Sequence, residues 1–343
     1  MRIQIVTDAW HPQVNGVVRT LTYAAAELER LRHRMALVTP AMFHTVPCPG
    51  YPEIRLSVAA PGSVGEILER FRPEAVHIAT EGPLGMAARS FCTGRGVSFT
   101  TSFHTRFPEY IRMRWGLPAT WGYAALRCFH SAARLTMVPT VGLREELTGL
   151  GFRNLALWNH GVDTRLFRPR PKAAFTDPRP IWLYVGRVAP EKNIEAFLDL
   201  DLPGTKYVVG DGPSLADFRK RYPNARYFGT RTGEELAQFY ANADAFIFPS
   251  VTDTFGNVIL EALASGLPVA AYPVRGPKDI LEGTDVGVLD TDLARAARAA
   301  LRLSPFACRS FAERFTLRAS AEEFAANLCP IEHWGSLLRS PAA

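Results

Sequence analysis

Short apolar segments alternate with longer amphipathic segments along almost the whole chain. The apolar segments are rich in Val, Ile, Leu and Phe, which is typical of parallel strands that helices cover on both faces. Repeated strand–helix alternation predicts a doubly wound α/β fold. The predicted strands are Arg2–Thr7, Met35–Thr39, Ala75–Ala79, Ser98–Phe103, Leu135–Val138, Leu155–Trp158, Ile181–Gly186, Lys206–Val209, Ala225–Phe228, Ala245–Phe248, Pro268–Ala271 and Val286–Leu289.

One proline-rich segment, Val162–Pro180, interrupts this alternation. A chain of 343 residues is long enough for two domains, so we interpret the segment as an interdomain linker. We predict two Rossmann-like domains, 1–165 and 166–310, that face each other across a cleft. Residues 311–343 are expected to pack back on the first domain through a helix within Ser310–Leu328. Ligands of such sheets bind at the carboxyl ends of the strands.

The formal net charge of +6 favours an anionic partner such as a nucleotide, nucleic acid or anionic lipid, although an arginine-rich proteome explains it equally well. The five cysteines form no CxxC pair, so we expect a reduced, cytoplasmic setting. The first residues lack the order of a signal peptide, and no apolar run is long enough to span a bilayer. We expect any contact with the inner membrane face to be peripheral.

The segment Pro249–Pro268 carries the clearest candidate ligand site. The strand before it ends in a polar loop, and Gly256 allows the backbone to approach a ligand closely. A helix starting near Asn257 would point free amides at a diphosphate. Glu261, one turn into the helix, can accept hydrogen bonds from ribose hydroxyls, and Asp253 can accept them from a sugar. Taken alone, these two acids are more simply a helix-start acid and a solvated surface residue.

Three further positions suggest ligand contacts. Arg187 and Lys192 follow a strand and can neutralise a leaving diphosphate. Gly16, before a helix expected to open at Val17, can bring its amide to a phosphate, although a plain tight turn fits equally well. His104 follows a strand and can touch a sugar, although a lone histidine is more often a packing residue.

Five segments in order resemble family 4 retaining glycosyltransferases, which have the GT-B fold. They are His11–Arg19, Ser102–Thr105, His160–Phe167, Gly186–Asn193 and Pro249–Pro268. The family usually has a Glu at the position of Asp253, so this residue leaves the sugar open. The resemblance implies a catalytic group and a larger donor-binding group. The catalytic residues are His104, Asp253, Arg187 and Lys192, and the donor-binding residues are Gly16, Arg187, Lys192, Asp253, Phe255, Gly256, Asn257 and Glu261. Apart from the resemblance, Arg231 in the loop after Gly229 is a further donor-binding candidate, for the base pocket.

The same resemblance implies a front-face displacement in which the leaving phosphate oxygen takes the proton of the acceptor, without a protein nucleophile. No cluster of His, Cys, Asp and Glu has metal-ligand spacing. The pairs Asp199/Asp201 and Asp290/Asp292 are interpreted as residues at helix ends. We therefore expect no metal and no cofactor, with the nucleotide sugar as substrate.

Basic and aromatic residues are interleaved between Arg106 and Arg134, as in surfaces that face anionic lipid. We predict that acceptor or membrane contacts involve Arg106, Tyr110, Arg112, Arg114 and Trp115. An amphipathic helix packed into the first domain explains Trp121–Phe129 better. A lipid acceptor, such as diacylglycerol, follows from the first of these predictions.

The sequence therefore predicts a hexosyltransferase that uses a UDP- or GDP-sugar. A transferase for soluble or polysaccharide acceptors and a non-catalytic nucleotide-binding regulator are the alternatives. A nucleic-acid-binding protein is disfavoured because no helix-turn-helix, zinc or RNA-binding motif is present. A dinucleotide oxidoreductase is disfavoured because Gly-x-Gly-x-x-Gly does not follow the first strand.

Overall fold

The computed structural model describes residues 1–48 and 51–331, apart from the side chains of residues 51–53, 114 and 115. The chain forms two compact units. Within the described residues, the first unit consists of residues 1–159 and 318–331, and the second of residues 160–317. Each unit is built on a six-stranded sheet.

The sheet of the first unit has the strand order β2-β1-β5-β6-β7-β8, and every neighbouring pair is parallel. Its strands are β1 Arg2–Val6, β2 Arg34–Val38, β5 Ala75–Ile78, β6 Thr100–Ser102, β7 Leu135–Val138 and β8 Leu155–Leu157. A separate antiparallel pair consists of β3 Thr45–Cys48 and β4 Tyr51–Ser57. The helices are α1 Gly16–Arg30, α2 Pro61–Phe71, α3 Pro83–Arg95, α4 Phe107–Trp115, α5 Ala119–Ser131 and α6 Val141–Gly149.

The sheet of the second unit has the order β11-β10-β9-β12-β13-β14 and is also parallel throughout. Its strands are β9 Ile181–Val185, β10 Thr205–Val209, β11 Arg226–Tyr227, β12 Ala245–Phe248, β13 Val269–Ala271 and β14 Gly287–Leu289. The helices are α7 Ile194–Leu198, α8 Leu215–Arg221, α9 Gly233–Asn242, α10 Asn257–Ala264, α11 Pro277–Leu281, α12 Leu293–Ala300 and α13 Pro305–Ala312. The last helix of the chain, α14 Leu317–Asn327, returns to the first unit.

Burial on both faces explains why the strands lack polar alternation. All five residues of β9 are buried. Ile181, Leu183 and Val185 lie in the core on one side of the sheet, while Trp182 and Tyr184 lie in the core on the other. This arrangement requires helices on both faces and confirms the doubly wound α/β prediction.

All twelve predicted strands are present, most with ends that differ by one or two residues. The β3–β4 pair was not predicted. Its sequence is interrupted by Pro47 and leaves Val46 about half exposed, so it lacks the continuous apolar run that marks the other strands.

The predicted linker Val162–Pro180 is wrong as a domain boundary, because this segment is packed within the second unit. Phe167 is fully buried in its core, and Val162 forms a bridge with Thr316. Arg309 Nη1 donates hydrogen bonds to the carbonyl oxygens of Thr164 and Phe167, at 3.0 and 2.8 Å. The chain crosses between units after residue 159, not after 165. The prolines mark a packed irregular segment.

The helix predicted within Ser310–Leu328 is two helices, α13 and α14. Phe311 and Phe315 pack against the core of the second unit, whereas Ala321 and Phe324 lie in the core of the first. The return to the first unit therefore begins at residue 318 instead of 311. None of the described helices has the length and apolarity required to span a bilayer.

The loop between β5 and α3 is fixed by a buried carboxylate. Asp8 Oδ1 accepts a hydrogen bond from Leu84 N (2.9 Å), while Oδ2 accepts bonds from Thr80 Oγ1 (2.8 Å) and Gly85 N (3.2 Å). Burial raises the pKa of Asp8 despite these three donors. The carboxylate thereby ties the end of β1 to the start of α3.

We expect Asp8→Asn to lower the free energy of unfolding by about 1–3 kcal/mol, because its amide group must face backbone N–H donors. Urea unfolding followed by circular dichroism measures this change. Asp217→Asn, on the exposed face of α8, is the matched control. Equal unfolding midpoints for the two variants would contradict the role of Asp8.

Candidate active site

Two loops at the carboxyl edge of the second sheet carry most of the predicted donor residues. Residues 186–193 follow β9, and residues 249–256 follow β12, its neighbour in the sheet. Parallel neighbours end at the same edge, so these loops lie side by side. The structure brings Arg187, Lys192 and Asp253 to this edge.

Lys192 and Asp253 form the closest charged pair between these loops. Lys192 Nζ lies 2.5 Å from Asp253 Oδ1, and the two side chains are 20% and 19% exposed. Asp253 Oδ2 is buried and has no hydrogen-bond partner among the residues that the structure describes. A buried carboxylate oxygen without a donor is costly, so this oxygen is suited to accept a hydrogen bond from a ligand hydroxyl.

Several side chains hold the two loops against each other. Thr252 Oγ1 donates to the carbonyl of Glu191 (2.9 Å), and Asn193 Nδ2 donates to that of Pro249 (3.1 Å). Tyr184 OH donates to the carbonyl of Arg187 at 2.7 Å. The first two bonds connect residues 61 and 56 positions apart in sequence, so no pattern along the chain indicates them. The third is local and fixes the start of the loop after β9.

Arg187 lies beside Glu191 at the end of β9. Its Nε lies 3.8 Å from Glu191 Oε1, longer than a hydrogen bond. The side chain is about a quarter exposed. A partly exposed guanidinium at a strand end is suited to bind a phosphate.

Gly256 shapes the start of α10. Its φ of +93° is in the region that favours glycine. An added Cβ would approach Ile259 Cδ1 to 3.0 Å and Phe248 Cζ to 3.2 Å. Gly256 caps the helix with its backbone, without a side-chain cap. The first amides of α10 therefore border the loop of Asp253, as anion binding requires.

Asn257 and Phe255 surround Gly256 but have different environments. Asn257 Oδ1 lies 2.8 Å from His160 Nδ1, and burial lowers the pKa of His160 to about 4. His160 is therefore neutral near pH 7, and its N–H can orient the Asn257 amide. Phe255 is buried in the core and meets His160 edge-on at 4.9 Å. The side chain of Phe255 anchors the loop to the core.

Glu261 is not a solvated surface residue. It is 2% exposed, and Tyr240 OH donates to its Oε2 at 2.9 Å. Tyr240, from α9, was not predicted as a site residue. A buried glutamate one turn into α10, oriented by a tyrosine, is placed for a directional bond to a hydroxyl group. The interpretation of Glu261 as a solvated surface residue is therefore wrong.

Arg231 lies in the loop between β11 and α9. It is exposed, and its Nε lies 3.7 Å from Glu235 Oε2. The structure places it at the carboxyl edge of the sheet, after β11, which two strands (β10 and β9) separate from β12.

Gly16 and His104 lie at the carboxyl edge of the first sheet. Gly16 is the first residue of α1, one position earlier than predicted, and Asn15 Oδ1 caps the helix by accepting from Val18 N at 3.0 Å. His104 lies two residues beyond β6 and is half-buried. Its ring meets Trp158 edge-on, with centroids 5.7 Å apart.

The basic aromatic segment divides into buried and exposed residues. Arg106 is buried, and its guanidinium forms two 2.8 Å bonds with Glu146. Its prediction as a membrane residue is therefore wrong. Arg112 is exposed beside Glu109, 3.1 Å away, and Tyr110 is half-buried. Arg114 and Trp115 were also predicted to contact the acceptor or membrane, but their side chains lie outside the described part of the structure.

The packed interpretation of Trp121–Phe129 holds for only part of α5. Tyr123 and Phe129 are buried as expected, but Trp121 is 70% exposed. Phe107, Met113 and Leu117 are each nearly half exposed on the neighbouring turns. These exposed apolar residues and the exposed Arg112 fall within one stretch of α4 and α5, residues 107–121, which the sequence only partly predicted. Phe107, Arg112, Met113, Leu117 and Trp121 are called the α4–α5 surface below.

Comparison with known sequences identifies the family. Residues 14–166 match the model of Glycosyltransferase Family 4, and residues 179–304 match that of Glycosyl transferases group 1. A GDP-mannose-dependent alpha-mannosyltransferase of Mycobacterium tuberculosis is 30% identical over 316 residues, covering 84% of this chain and 83% of that protein. The chain belongs to glycosyltransferase family 4. Family membership confirms the resemblance carried by the five segments.

Two other relatives differ in what they transfer or act on. The sulfoquinovosyl transferase of Arabidopsis thaliana is 34% identical over 68% of this chain, which spans only 49% of the plant protein. The alpha-monoglucosyldiacylglycerol synthase of Streptococcus pneumoniae is 25% identical over 89% of this chain and 79% of that protein. This family 4 chain is thus a nucleotide-sugar-dependent glycosyltransferase.

Solved structures agree on the fold. Sucrose-phosphate synthase from Thermosynechococcus elongatus has a TM-score of 0.78 at 18% identity, covering 95% of this chain and 97% of that one. Anabaena HepE, solved with UDP-glucose, has a TM-score of 0.71 at 16% identity, with 95% and 98% covered. The GT-B fold of two Rossmann-like domains is confirmed.

Proposed function

We propose that this glycosyltransferase moves a hexosyl unit from a UDP- or GDP-sugar to the hydroxyl of a membrane lipid such as diacylglycerol, with retention of configuration. The observation that carries the donor site is the Lys192–Asp253 pair, whose second carboxylate oxygen is buried and has no partner in the described chain. That oxygen accepts a hydrogen bond from a hydroxyl group of the donor sugar.

The remaining donor contacts follow from the loops around this pair. Arg187 and Lys192 bind the diphosphate through their charges, and the first amides of α10, beyond Gly256, add uncharged donors. Glu261, oriented by Tyr240, accepts hydrogen bonds from the ribose hydroxyls. Arg231 borders the base. Gly16 and His104, which the family resemblance also assigns to the donor, lie at the carboxyl edge of the first sheet.

The reaction is a front-face displacement. The bond between the anomeric carbon and the β-phosphate oxygen breaks while the acceptor oxygen bonds to the same face of that carbon. The proton of the acceptor hydroxyl passes to the departing phosphate oxygen. Arg187 and Lys192 stabilise the negative charge on that oxygen. The protein supplies these charges from its own side chains, so the mechanism needs no metal ion.

A lipid acceptor is favoured by the exposed α4–α5 surface. Exposed apolar and aromatic side chains beside a cationic one suit the headgroup region of an anionic bilayer. The name of the Streptococcus pneumoniae relative also points to a diacylglycerol lipid. We therefore place the protein peripherally at the cytoplasmic face of a membrane.

A donor panel tests the proposed function. UDP-glucose, UDP-galactose, UDP-glucuronate and GDP-mannose are incubated with the protein and with vesicles, with and without diacylglycerol, and released nucleoside diphosphate is measured. We expect one donor to give release that depends on diacylglycerol and persists after exhaustive EDTA treatment. Release regardless of diacylglycerol would move the acceptor to soluble or polysaccharide sugars. Tight nucleotide binding without release from any donor would favour a regulator.

Replacing Trp121 tests the membrane surface separately. We expect Trp121→Ser to weaken binding to phosphatidylglycerol vesicles roughly tenfold, because about 1.5 kcal/mol of apolar burial is lost. Vesicle co-sedimentation measures the change. Phe306→Ser is the matched control, because Phe306 is 79% exposed on α13, outside the α4–α5 surface. Equal losses in both variants would contradict a specific membrane role for Trp121.

A further inference from the structure

A second acidic side chain lies at the carboxyl edge of the first sheet. The strand order places β1 between β2 and β5, so the chain leaves β1 towards one side of the sheet and β5 towards the other. This is the topological switch point, where open α/β sheets bind ligands. Asp8 follows β1 and Glu81 follows β5. Glu81 was not among the predicted site residues.

The loop that carries Glu81 is rigid. The three hydrogen bonds of Asp8 hold Thr80, Leu84 and Gly85, on both sides of Glu81. Gly82 packs directly on the same carboxylate, because a Cβ there would lie 2.5 Å from Asp8 Cγ. Both oxygens of Asp8 therefore accept hydrogen bonds from the loop. Glu81 is the carboxylate at this edge that is available to a ligand.

A buried chain of hydrogen bonds orients the Glu81 side chain. His130 Nε2 lies 3.1 Å from Glu81 Oε1, and His130 Nδ1 lies 2.9 Å from Thr101 Oγ1. Thr101 Oγ1 lies 2.9 Å from Thr136 Oγ1. His130, Thr101 and Thr136 are all fully buried.

The direction of these bonds follows from the carboxylate. An ionised carboxylate only accepts, so His130 Nε2 carries the proton and donates to Glu81. In a neutral imidazole Nδ1 is then an acceptor, so the Thr101 hydroxyl donates to it and accepts from Thr136. The donors run in order from Thr136 to Thr101 to His130, and the last of them, His130 Nε2, fixes the rotamer of Glu81.

The second oxygen of Glu81 is left for a ligand. Within the described residues, His130 is the hydrogen-bond partner of Glu81, and it uses Oε1. The Glu81 side chain is 9% exposed, so most of it is buried against the loop. Glu81 Oε2 can therefore accept a hydrogen bond from a hydroxyl group at the sheet edge.

We infer that Glu81 binds the acceptor by accepting a hydrogen bond from its hydroxyl group, with His130 as the positioning residue. Its loop is the neighbour of the loop of His104, since β5 and β6 are paired. This inference rests on the proposed function and places the acceptor at the switch point of the first unit. Glu81 takes no proton in the reaction, because that proton goes to the phosphate oxygen.

The test separates acceptor binding from donor binding. Glu81→Gln is expected to raise the KM for acceptor about tenfold. The acceptors are dioleoylglycerol in phosphatidylcholine–phosphatidylglycerol vesicles and methyl α-mannoside in solution, with the donor that the panel selects. The affinity for UDP or GDP and the slow hydrolysis of donor by water should not change. Glu66→Gln, on the exposed face of α2, is the matched control.

A second variant tests the positioning chain without touching the acceptor. Thr101→Val removes the donor to His130 at nearly constant volume, and we expect a smaller rise in the same KM with unchanged nucleotide affinity. Should Glu81→Gln not fold, Glu81→Asp, which keeps the charge on a shorter arm, is expected to raise this KM too. An unchanged KM in the folded Glu81 variant, or a loss of nucleotide affinity, overturns the inference. A wild-type protein that transfers to neither acceptor instead overturns the proposed function.

Discussion

Lys192→Ala is expected to reduce transfer about 10²–10³-fold, which is the range for removing one electrostatic donor from a site of developing charge. Lys192 stands at the end of a short helical turn, Pro190–Lys192, directly after the β9 loop. Its ammonium lies 2.5 Å from Asp253 Oδ1. The leaving diphosphate gains charge as its bond to the sugar breaks, and the stabilising contribution of Lys192 grows at that moment.

Two measurements test this prediction. Steady-state release of nucleoside diphosphate gives kcat, and titration with UDP or GDP gives the nucleotide affinity. We expect kcat to fall much more than nucleotide affinity, because the charge that Lys192 stabilises is largest in the transition state. Lys220→Ala is the matched control, since Lys220 lies exposed on α8. A Lys192 variant with the activity of the Lys220 variant would remove Lys192 from the mechanism.

The fold was predictable because burial on both faces leaves a clear mark on a parallel strand. The five residues of β9 and the four of β12 are all buried, and both runs are continuous in the sequence. The segment Val162–Pro180 misled the prediction because prolines mark irregular backbone in linkers and in packed segments alike. Tertiary properties, such as the burial of Phe167 and the bridge between Val162 and Thr316, separate the two cases.

The second failure concerns the end of the chain. The apolar spacing of Ser310–Leu328 fits one helix, and Phe311 and Phe324 are both apolar positions of that pattern. Periodicity does not record which core a residue enters. Phe311 packs in the second unit and Phe324 in the first, so the helix must break where Thr316 pairs with Val162.

The candidate site could be proposed from the sequence where its residues lie near one another in the chain. Asp253, Gly256 and Glu261 belong to one strand–loop–helix segment. Tyr240 and Glu81 were not proposed because their partners lie on other elements. Glu261 is 21 positions from Tyr240 in the sequence, and His130 is 49 positions from Glu81. Arg106 was wrongly placed at a surface because composition alone does not reveal that Glu146 buries it.

Asp253→Asn is expected to reduce transfer about 10- to 100-fold, because a hydrogen bond from a sugar hydroxyl to a charged acceptor is lost. The substitution acts on both oxygens. It removes the charge that holds Lys192, and it places either a neutral carbonyl or an NH₂ group where buried Oδ2 faces the ligand. An NH₂ group at that position offers a donor where the sugar needs an acceptor.

Asp253→Glu separates these two effects. It keeps the charge beside Lys192 but adds one methylene, which restores the residue that family 4 usually has. We expect this variant to retain more activity than Asp253→Asn and to change the ratio of kcat/KM between two hexose donors, since the carboxylate reaches a different hydroxyl. The donor panel measures both variants, with Asp217→Asn as the surface control. Wild-type rates and donor preference in both Asp253 variants would contradict sugar contact by this residue. Equal losses without a change in donor preference would instead limit Asp253 to holding Lys192 in place.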